Sequence, residues 1–590
     1  MKYRFLYFVV LILLASCEME ELPQSEVSKD PVFNTEAGLE LYANSFYDVL
    51  PGADDIFLGD DMSDYIVCNS VPEYLTNSYD ANQSSGWYWE DLRNINYFIE
   101  NCTSNQISAD VKQHYIGLAR FFRAVFYFNK VKRFGDVPWI NKVPAVNDDE
   151  LLYAGRDPRT LVMDSVVSDL DFACEHISTE SDETRSLITK WVARAFKSRV
   201  CLFEGTFRKY HTEYGLEGTV DKWLEEAADA ALDVMDNSGF ALNTYGSADE
   251  NYRQLFISAD PVRTEIMLAV VMSQDLGVLH DANWKYTSPT YGVKANLNRT
   301  FVNTYLNLDG TPFTDKEDYG TTVFSEEVKN RDLRLKQTIR LGDYTRTDGG
   351  TTVPAPPDFG YTLTGYQPVK WCLDDTYYDL RNYNNNSVSI IRYGEVLLNY
   401  AEAKAELGTL TDAEWQKTIG ALRARAGITG GLTHLPKVAD SYLQKHYFTD
   451  ISNPVILEIR RERGIELVME GFRFYDLVRW KEGDLLEMKW RGFYVPKLDV
   501  PMDLNEDGTN DVIFVENIPS PLPDVPYMFV AVGATLNGET NPQRLTNGDS
   551  GELTWSDNLP RIWEGKKYLY PIPEDDLLMN PNLGQNKGWE

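Results

Sequence analysis

The chain has 590 residues and a formal net charge of −34, with 56 basic against 90 acidic side chains, a field that repels phosphate backbones and argues against nucleic acid as a partner. Hydrophobic content of 43% and aromatic content of 13% belong to a folded body, which at this length is either several domains or one helical scaffold with long insertions. The six histidines lie far apart, with no HxxxH pair and no CxxC, so zinc chemistry has no support.

Residues 1–16 read as an export leader: Lys2 and Arg4 form a positive start, and Phe5 to Leu14 an apolar core too short to span a bilayer. Leu14-Ala15-Ser16-Cys17 places small residues before a cysteine, so the mature chain is expected to begin at Cys17 with lipid on its thiol and amine. The alternative is an ordinary secretory leader with an incidental cysteine. Acyl burial contributes about 0.8 kcal/mol per CH₂ to such an anchor. Loss of Lys2 and Arg4 makes the mature chain two charges more negative. Residues 17–33, polar and proline-bearing, read as a tether. No later apolar run is long enough to cross a membrane. Cys68, Cys102, Cys174, Cys201 and Cys372 remain, expected to be mostly buried free thiols, one disulfide pair being left open.

Residues 34–590 read as one body. Asn34 to Leu50 predicts an amphipathic helix with Leu39, Tyr42, Phe46 and Val49 on one face. Residues 52–85 lack helical period and interleave Asp54, Asp55, Asp60, Asp61 and Asp64 with Tyr65, Tyr74, Tyr79 and Asn82; loops of this length are usually functional. Trp87 and Trp89 stand at the junction with the next helix, Trp89 read as core and Trp87 open to either role. Helical repeats are expected over about 111–238. Val111 to Phe134 is stopped by Gly135, Arg159 to His176 packs beside it, and Thr189 to Gly205 pairs with Lys222 to Ser238 through Trp191, Ala195, Ser198 and Leu202 against Trp223, Ala227, Ala230 and Val234.

An insertion over 240–389 carries a second aromatic set: Trp284, Tyr286, Tyr291, Tyr361, Tyr366, Trp371, Tyr377, Tyr378 and Tyr383, among Asn283, Asn296, Asn298 and Asn384 to Asn386. Sugars present apolar ring faces to flat aromatics, and their hydroxyls need paired donors and acceptors. On that ground Asp64, Tyr65, Tyr74, Tyr79, Asn82, Trp87, Trp284, Tyr286 and Tyr291 are the candidate ligand-binding residues; singly, each could instead cover the scaffold.

Repeats resume over 390–483. Ile390 to Gly408 has Val396, Tyr400, Ala403 and Leu407 at helical spacing and is followed by a helix from about Glu414 to Ala426 and a third from Pro454 to about Gly471, each closed by a glycine. Charges three apart (Arg463 and Glu466, Glu470 and Arg473, Arg473 and Asp476, Asp476 and Arg479) suggest a salt-bridged surface face contributing about 0.2–0.5 kcal/mol per pair. About four helix pairs result, a mainly α, tetratricopeptide-like scaffold with long inserted loops and a few short strands. Residues 485–567 form a third loop insertion, in which Asp503, Asn505, Asp507, Thr509 and Asp511 have the spacing of a calcium loop without the glutamate expected at position twelve, where Phe514 stands. The readings are a structural calcium or a solvated acidic turn; no other cofactor is indicated. Residues 568–590, rich in proline and asparagine, read as an extended strap.

Three ordered blocks are similar to the signature of the SusD/RagB family of outer-membrane nutrient-binding lipoproteins. They are Leu397-Leu398-Asn399-Tyr400-Ala401-Glu402-Ala403; Ile459-Arg460-Arg461-Glu462-Arg463 continuing through Glu466, Glu470-Gly471, Arg473, Asp476-Leu477 and Arg479-Trp480; and Leu569-Tyr570-Pro571-Ile572-Pro573 with Asn580-Pro581-Asn582-Leu583 and Gly588-Trp589. Glu18, Glu20 and Glu21 also resemble the acidic export signal of surface lipoproteins. The resemblance implies a non-catalytic, lipid-anchored, cell-surface protein of the outer membrane. It would bind an oligosaccharide or polysaccharide, with the 52–85 region supplying much of the surface, and deliver it to a SusC-like TonB-dependent transporter. The rivals are a surface glycoside hydrolase, although no carboxylate pair is singled out by a motif, and a binder of another nutrient such as peptide.

Overall fold

The computed structural model describes residues 32–290 and 292–590. The leader, Cys17, the tether up to residue 31 and Tyr291 lie outside the described residues.

Helix ends follow their caps. Thr35 accepts the Gly38 amide at the start of α1 (Glu36–Ala43), after which the chain tightens into a 3₁₀ stretch, Asn44–Val49, where a single helix was expected. Ser45 there donates to the Tyr42 carbonyl at 2.7 Å, a local bond that competes with the helical ladder. A short helix α2 (Ala53–Phe57) precedes α3 (Glu90–Asn101). Ser108 caps the long α4 (Ala109–Phe134), and Gly135 ends it at φ 76°, a conformation open to glycine. Next come α5 (Arg159–His176), α6 (Lys190–Tyr210) and α7 (Val220–Asn237). The close approach of α6 and α7 requires Gly205, where a Cβ would meet Leu224 at 2.8 Å.

The insertion is closed at its root by strands β1 (Ile266–Val270) and β2 (Val388–Arg392), paired antiparallel, and contains α8 (Ala282–Thr287). The second half begins with α9 (Tyr393–Glu406). The helix expected over Glu414 to Ala426 is two pieces, Asp412–Lys417 and α10 (Ile419–Arg425), broken at Thr418 with φ −112° and ψ −91°. Then α11 (Pro454–Leu467) stops short of Gly471 and α12 (Arg473–Trp480) follows. The helices stack in sequence, α4 on α5, α6 on α7, and α9 between α7 and α11, which is the mainly α, tetratricopeptide-like scaffold read from the sequence. Among the described residues no helix is long and apolar enough to cross a membrane. The expected loop over 485–567 holds short strands, among them a three-stranded sheet of β3 (Arg491–Val495), β4 (Gln543–Leu545) and β5 (Gly551–Trp555). The strap runs back across the first half: Tyr570 donates its amide to the Arg133 carbonyl at 2.7 Å, and Arg156 donates to the Leu583 carbonyl at 2.7 Å.

The charged face of α11 and α12 is buried, not solvated. Glu466 accepts from Arg334 at 2.8 Å, from Arg392 at 2.6 Å and from Arg425. Glu265 takes the other side of Arg392 and Arg425 at 3.0 Å each, and Glu470 binds Lys370 at 2.7 Å and Arg392 at 2.8 Å. Of the four local pairs expected, Asp476 with Arg479 forms at 2.9 Å; Arg473 instead holds Asp64 at 2.7 Å, and Arg463 holds Asp476 at 2.8 Å. Asn399 and Glu402, from the first signature block, accept from Arg463 and Arg479. The signature residues therefore tie the insertion to the second half through charge, and Arg473 reaches Asp64 of the first loop; removing one partner of such a buried pair costs about 3–5 kcal/mol, not the few tenths of a surface pair.

Candidate functional site

Most of the candidate residues from the first loop turn inward. Asp64 is committed to Arg473. Tyr65 is buried, its ring stacked on Phe301 at 3.7 Å. The adjacent Ile66 and Val67 pair with Leu297 and Asn296. Tyr74 is buried against Tyr570 at 4.0 Å and donates its hydroxyl to the Lys567 carbonyl. Trp87 is buried against Phe134, while Trp89, read as core, is half-buried under Lys130. Tyr286 is buried and donates to the Phe57 carbonyl at 2.6 Å. Asp64, Tyr65, Tyr74, Trp87 and Tyr286 are thus almost wholly covered, each held by internal partners and offering little surface to an external ligand. Half-buried Tyr79 packs on Tyr74, Tyr570 and Trp589, and exposed Asn82 bonds Asp80, both beside the strap. Tyr291 lies outside the described residues.

Trp284 is the candidate that meets a larger aromatic surface. It stands half-buried on α8, with the Lys285 ammonium 5.4 Å and the Arg381 guanidinium 5.6 Å from its ring centre. Nearby, the 3₁₀ turn Thr376–Asp379 is set by the Asp375 carboxylate accepting the Tyr377 amide at 2.8 Å. It projects Tyr377, 53% exposed, with Tyr378 at 5.2 Å and Tyr383 at 5.0 Å, both edge-on, which leaves ring faces open. Leu276, Val278 and Leu380 are exposed on the adjoining loops.

Asparagines expected to serve sugar hydroxyls instead clamp this surface. Asn283 donates to the Leu373 carbonyl at 2.9 Å and to Asp379 at 3.0 Å, and accepts from Asn384 at 2.7 Å. Asn386 donates to the Phe256 and Trp371 carbonyls. Arg346 holds Asp379 with two bonds, of 2.7 and 2.9 Å. His280 contacts the Asn386 carbonyl at 2.8 Å, and burial pushes its imidazole down to about 4, so it stays neutral near pH 7. Three loops are thereby fixed, and the rings they carry meet a ligand with little ordering left to do. The polar groups facing out are exposed Arg381 and half-buried Lys285, while Asp281, 4.0 Å from Arg381, is buried behind them. Asp61 completes the edge near Lys285; burial, with Asp60 adding to it, pushes its carboxyl up to about 7. A charged and aromatic rim of this kind stacks on and hydrogen-bonds a polyhydroxylated ligand.

Sequence reasoning named Tyr377, Tyr378 and Tyr383 within the aromatic set but not as candidates. The available signal was density: three tyrosines in seven residues, flanked by Asp374-Asp375 and Asn384 to Asn386. The Asp503–Asp511 loop curls on itself, Asp503 accepting the amides of Asn505 and Gly508, Asn505 that of Asp507, and Asp507 that of Thr509. Burial and then the charges of Asp503 and Asp507 raise the Asp511 carboxyl, although the Leu504 amide opposes this. Among the described residues no group of three or more His, Cys, Asp or Glu side chains is drawn together closely enough to hold a metal ion. The five cysteines among them are all free thiols.

The model of the SusD family matches residues 264–589, and a model described as starch-binding associating with outer membrane matches residues 20–202. The chain is 24% identical over 517 residues to a SusD-like protein of Formosa agariphila, covering 82% of this chain and 91% of that one. It is 23% identical over 544 residues to a SusD-like protein of Bacteroides ovatus, covering 88% and 83%. Among solved structures, a SusD-like protein of Bacteroides fragilis superposes with a TM-score of 0.67 at 22% identity, covering 96% of this chain and 99% of the other. A SusD-like carbohydrate binding protein of the same species gives 0.66 at 21%, covering 94% and 100%.

Proposed function

The chain belongs to the SusD family, and from that premise we propose that it binds a glycan at the outer-membrane surface without converting it, on the face made by Trp284, Tyr377, Tyr378 and Tyr383. One observation carries the reading: exposed rings and the outward-facing cations Arg381 and Lys285 share one surface whose loops are clamped from within. The match to a starch-binding family associated with the outer membrane and the likeness to a carbohydrate-binding structural relative support it. In this account Cys17 carries the lipid that holds the protein on the cell surface. A SusC-like TonB-dependent transporter receives the glycan as the lipoprotein closes over it.

Hydrolysis would need two carboxyls about 5–10 Å apart across the sugar, one with a raised pKa. Asp61 has a raised carboxyl, but its neighbouring acid is Asp60, which is buried and accepts the amides of Met469 and Arg473. Probing a glycan array with the mature protein, followed by mass spectrometry of the incubated glycans, tests the proposal. Saturable binding with the glycans intact is expected; release of shorter products, or binding confined to peptides, would replace it with one of the rival readings.

A further inference from the structure

A cavity of about 420 Å³, within the usual range of small-molecule pockets of about 300–1,000 Å³, lies where α4, α6, β2 and the turn leading into α12 meet. Its walls are mainly apolar, with Phe121, Phe128, Phe196, Phe203, Phe472 and Tyr475 as the large side chains. The cations on the walls are matched to carboxylates, with one exception. Arg199 is held by Glu395 at 2.6 Å, Arg463 and Arg479 by Asp476 at 2.8 and 2.9 Å, and Glu470 by Arg392 and Lys370. Asp55 accepts the Gly52 amide at 2.9 Å.

Lys132 is the exception. Its ammonium lies 4.6 Å from the centre of the Phe128 ring and 4.4 Å from that of Tyr475, and the charge acting on it most is a cation, Arg199. No carboxylate among the described residues forms an ion pair with it. Burial, with Arg199 adding to it, pushes the ammonium down to about 7. A second polar group on the same wall also lacks a partner: the buried Ser389 hydroxyl makes no hydrogen bond among the described residues. Ser389 is buried and Lys132 half-buried, so an anion seated in the recess would give a partner to both.

We propose that this recess binds a small amphipathic carboxylate, its apolar ring or acyl body among the phenylalanines, its single negative charge on Lys132 and a polar edge against Ser389. One unpaired cation matches one anionic charge, and a free sugar fits poorly because its hydroxyls would face phenylalanine rings. The site is separate from the aromatic face and does not depend on the glycan reading, although α2 touches both: Asp55 and Ile56 line the cavity, while Asp54 feels Asp281 and Lys285.

Calorimetry and thermal melting of the mature chain with phenylpropionate and octanoate test it, with phenylpropionamide as the neutral control. We expect one saturable site per chain, the carboxylate preferred over the amide by about tenfold or more, and loss of that preference in Lys132→Met. Pairing restores the ammonium, so binding at about pH 8 should take up a proton, read from the dependence of the heat on buffer ionisation enthalpy. The other wall charges, Arg199, Asp55, Arg463, Glu470, Asp476 and Arg479, already have partners and should not supply that proton. Absence of binding by both carboxylates, equal binding of the amide, or carboxylate affinity unchanged in Lys132→Met would each overturn the proposal. Should Lys132→Met not fold, the amide comparison and the proton uptake of the wild type decide.

Discussion

Replacing Glu466 by glutamine removes one negative charge from the centre of the buried network and leaves its shape. Arg334, Arg392 and Arg425 all converge on that carboxylate, and neither it nor its partners is accessible to water. Glu265 still faces two of the three guanidiniums, so the substitution leaves excess positive charge in a low-dielectric interior, a loss of about 3–5 kcal/mol. For a chain this long the unfolding entropy is about 1.2 kcal/mol per degree, so the melting temperature should fall by roughly 2–4 °C. Urea denaturation followed by tryptophan fluorescence, with midpoints compared at constant slope, gives the free energy more directly. The pH dependence supplies a second check. Burial alone would raise the Glu466 carboxyl, but Arg425, Arg392 and Arg334 outweigh it and hold the group far below its ordinary 4.5. Its stabilisation is therefore complete above that ordinary value and is lost as pH falls below it, and Glu466→Gln should flatten that acid limb. A midpoint within about 0.5 kcal/mol of wild type, with the acid limb unchanged, would refute the claim that the signature residues hold the insertion to the second half.

At the aromatic face, Trp284→Ala and Tyr377→Ala should each weaken glycan binding about tenfold, about 1.4 kcal/mol, with little change in melting; unaltered affinity in calorimetry removes that ring from the site. Burial raises the Asp61 carboxyl to about 7, so its ionisation opposes folding: stability should decline as pH rises from 3.8 through about 7, and Asp61→Asn should make that decline shallower, buried Asp60, raised to about 6, keeping the remainder. A melting series across this range that is the same for both proteins would contradict the assignment. For the Asp503–Asp511 loop we propose that calcium draws the mutually repelling carboxylates together. Millimolar calcium should then raise the melting temperature of the wild type but not of Asp507→Ala, and identical wild-type curves with and without chelator would dismiss the metal.

Helix positions were legible because their signals are local: Ser108 and Gly135 bracket α4, and alanines and Gly205 mark where α6 and α7 meet. The break at Thr418 was not, because it follows from tertiary packing against Gly420, where a Cβ would lie 2.1 Å from the Leu432 carbonyl. Charge spacing in α11 and α12 suggested a solvated face, and the long-range partners Glu265, Arg334, Arg392 and Arg425 carry no mark of being brought together from four separate segments. The site was half legible for a related reason. Tyrosines on irregular chain have no period from which to read inside and outside, so buried Tyr65, Tyr74 and Tyr286 looked the same as exposed Tyr377 and Tyr383. Asn283 and Asn384 likewise read as ligand donors when they are the clamp beneath the rings.

A crystal structure of the mature protein with an oligosaccharide selected on the array is the most direct measurement of all. The account predicts an intact sugar chain with a pyranose face against Trp284 or the Tyr377–Tyr383 pair and its hydroxyls reaching Arg381 or Lys285. A sugar bound elsewhere with that face bare, or cleaved products held between two carboxylates, would contradict it.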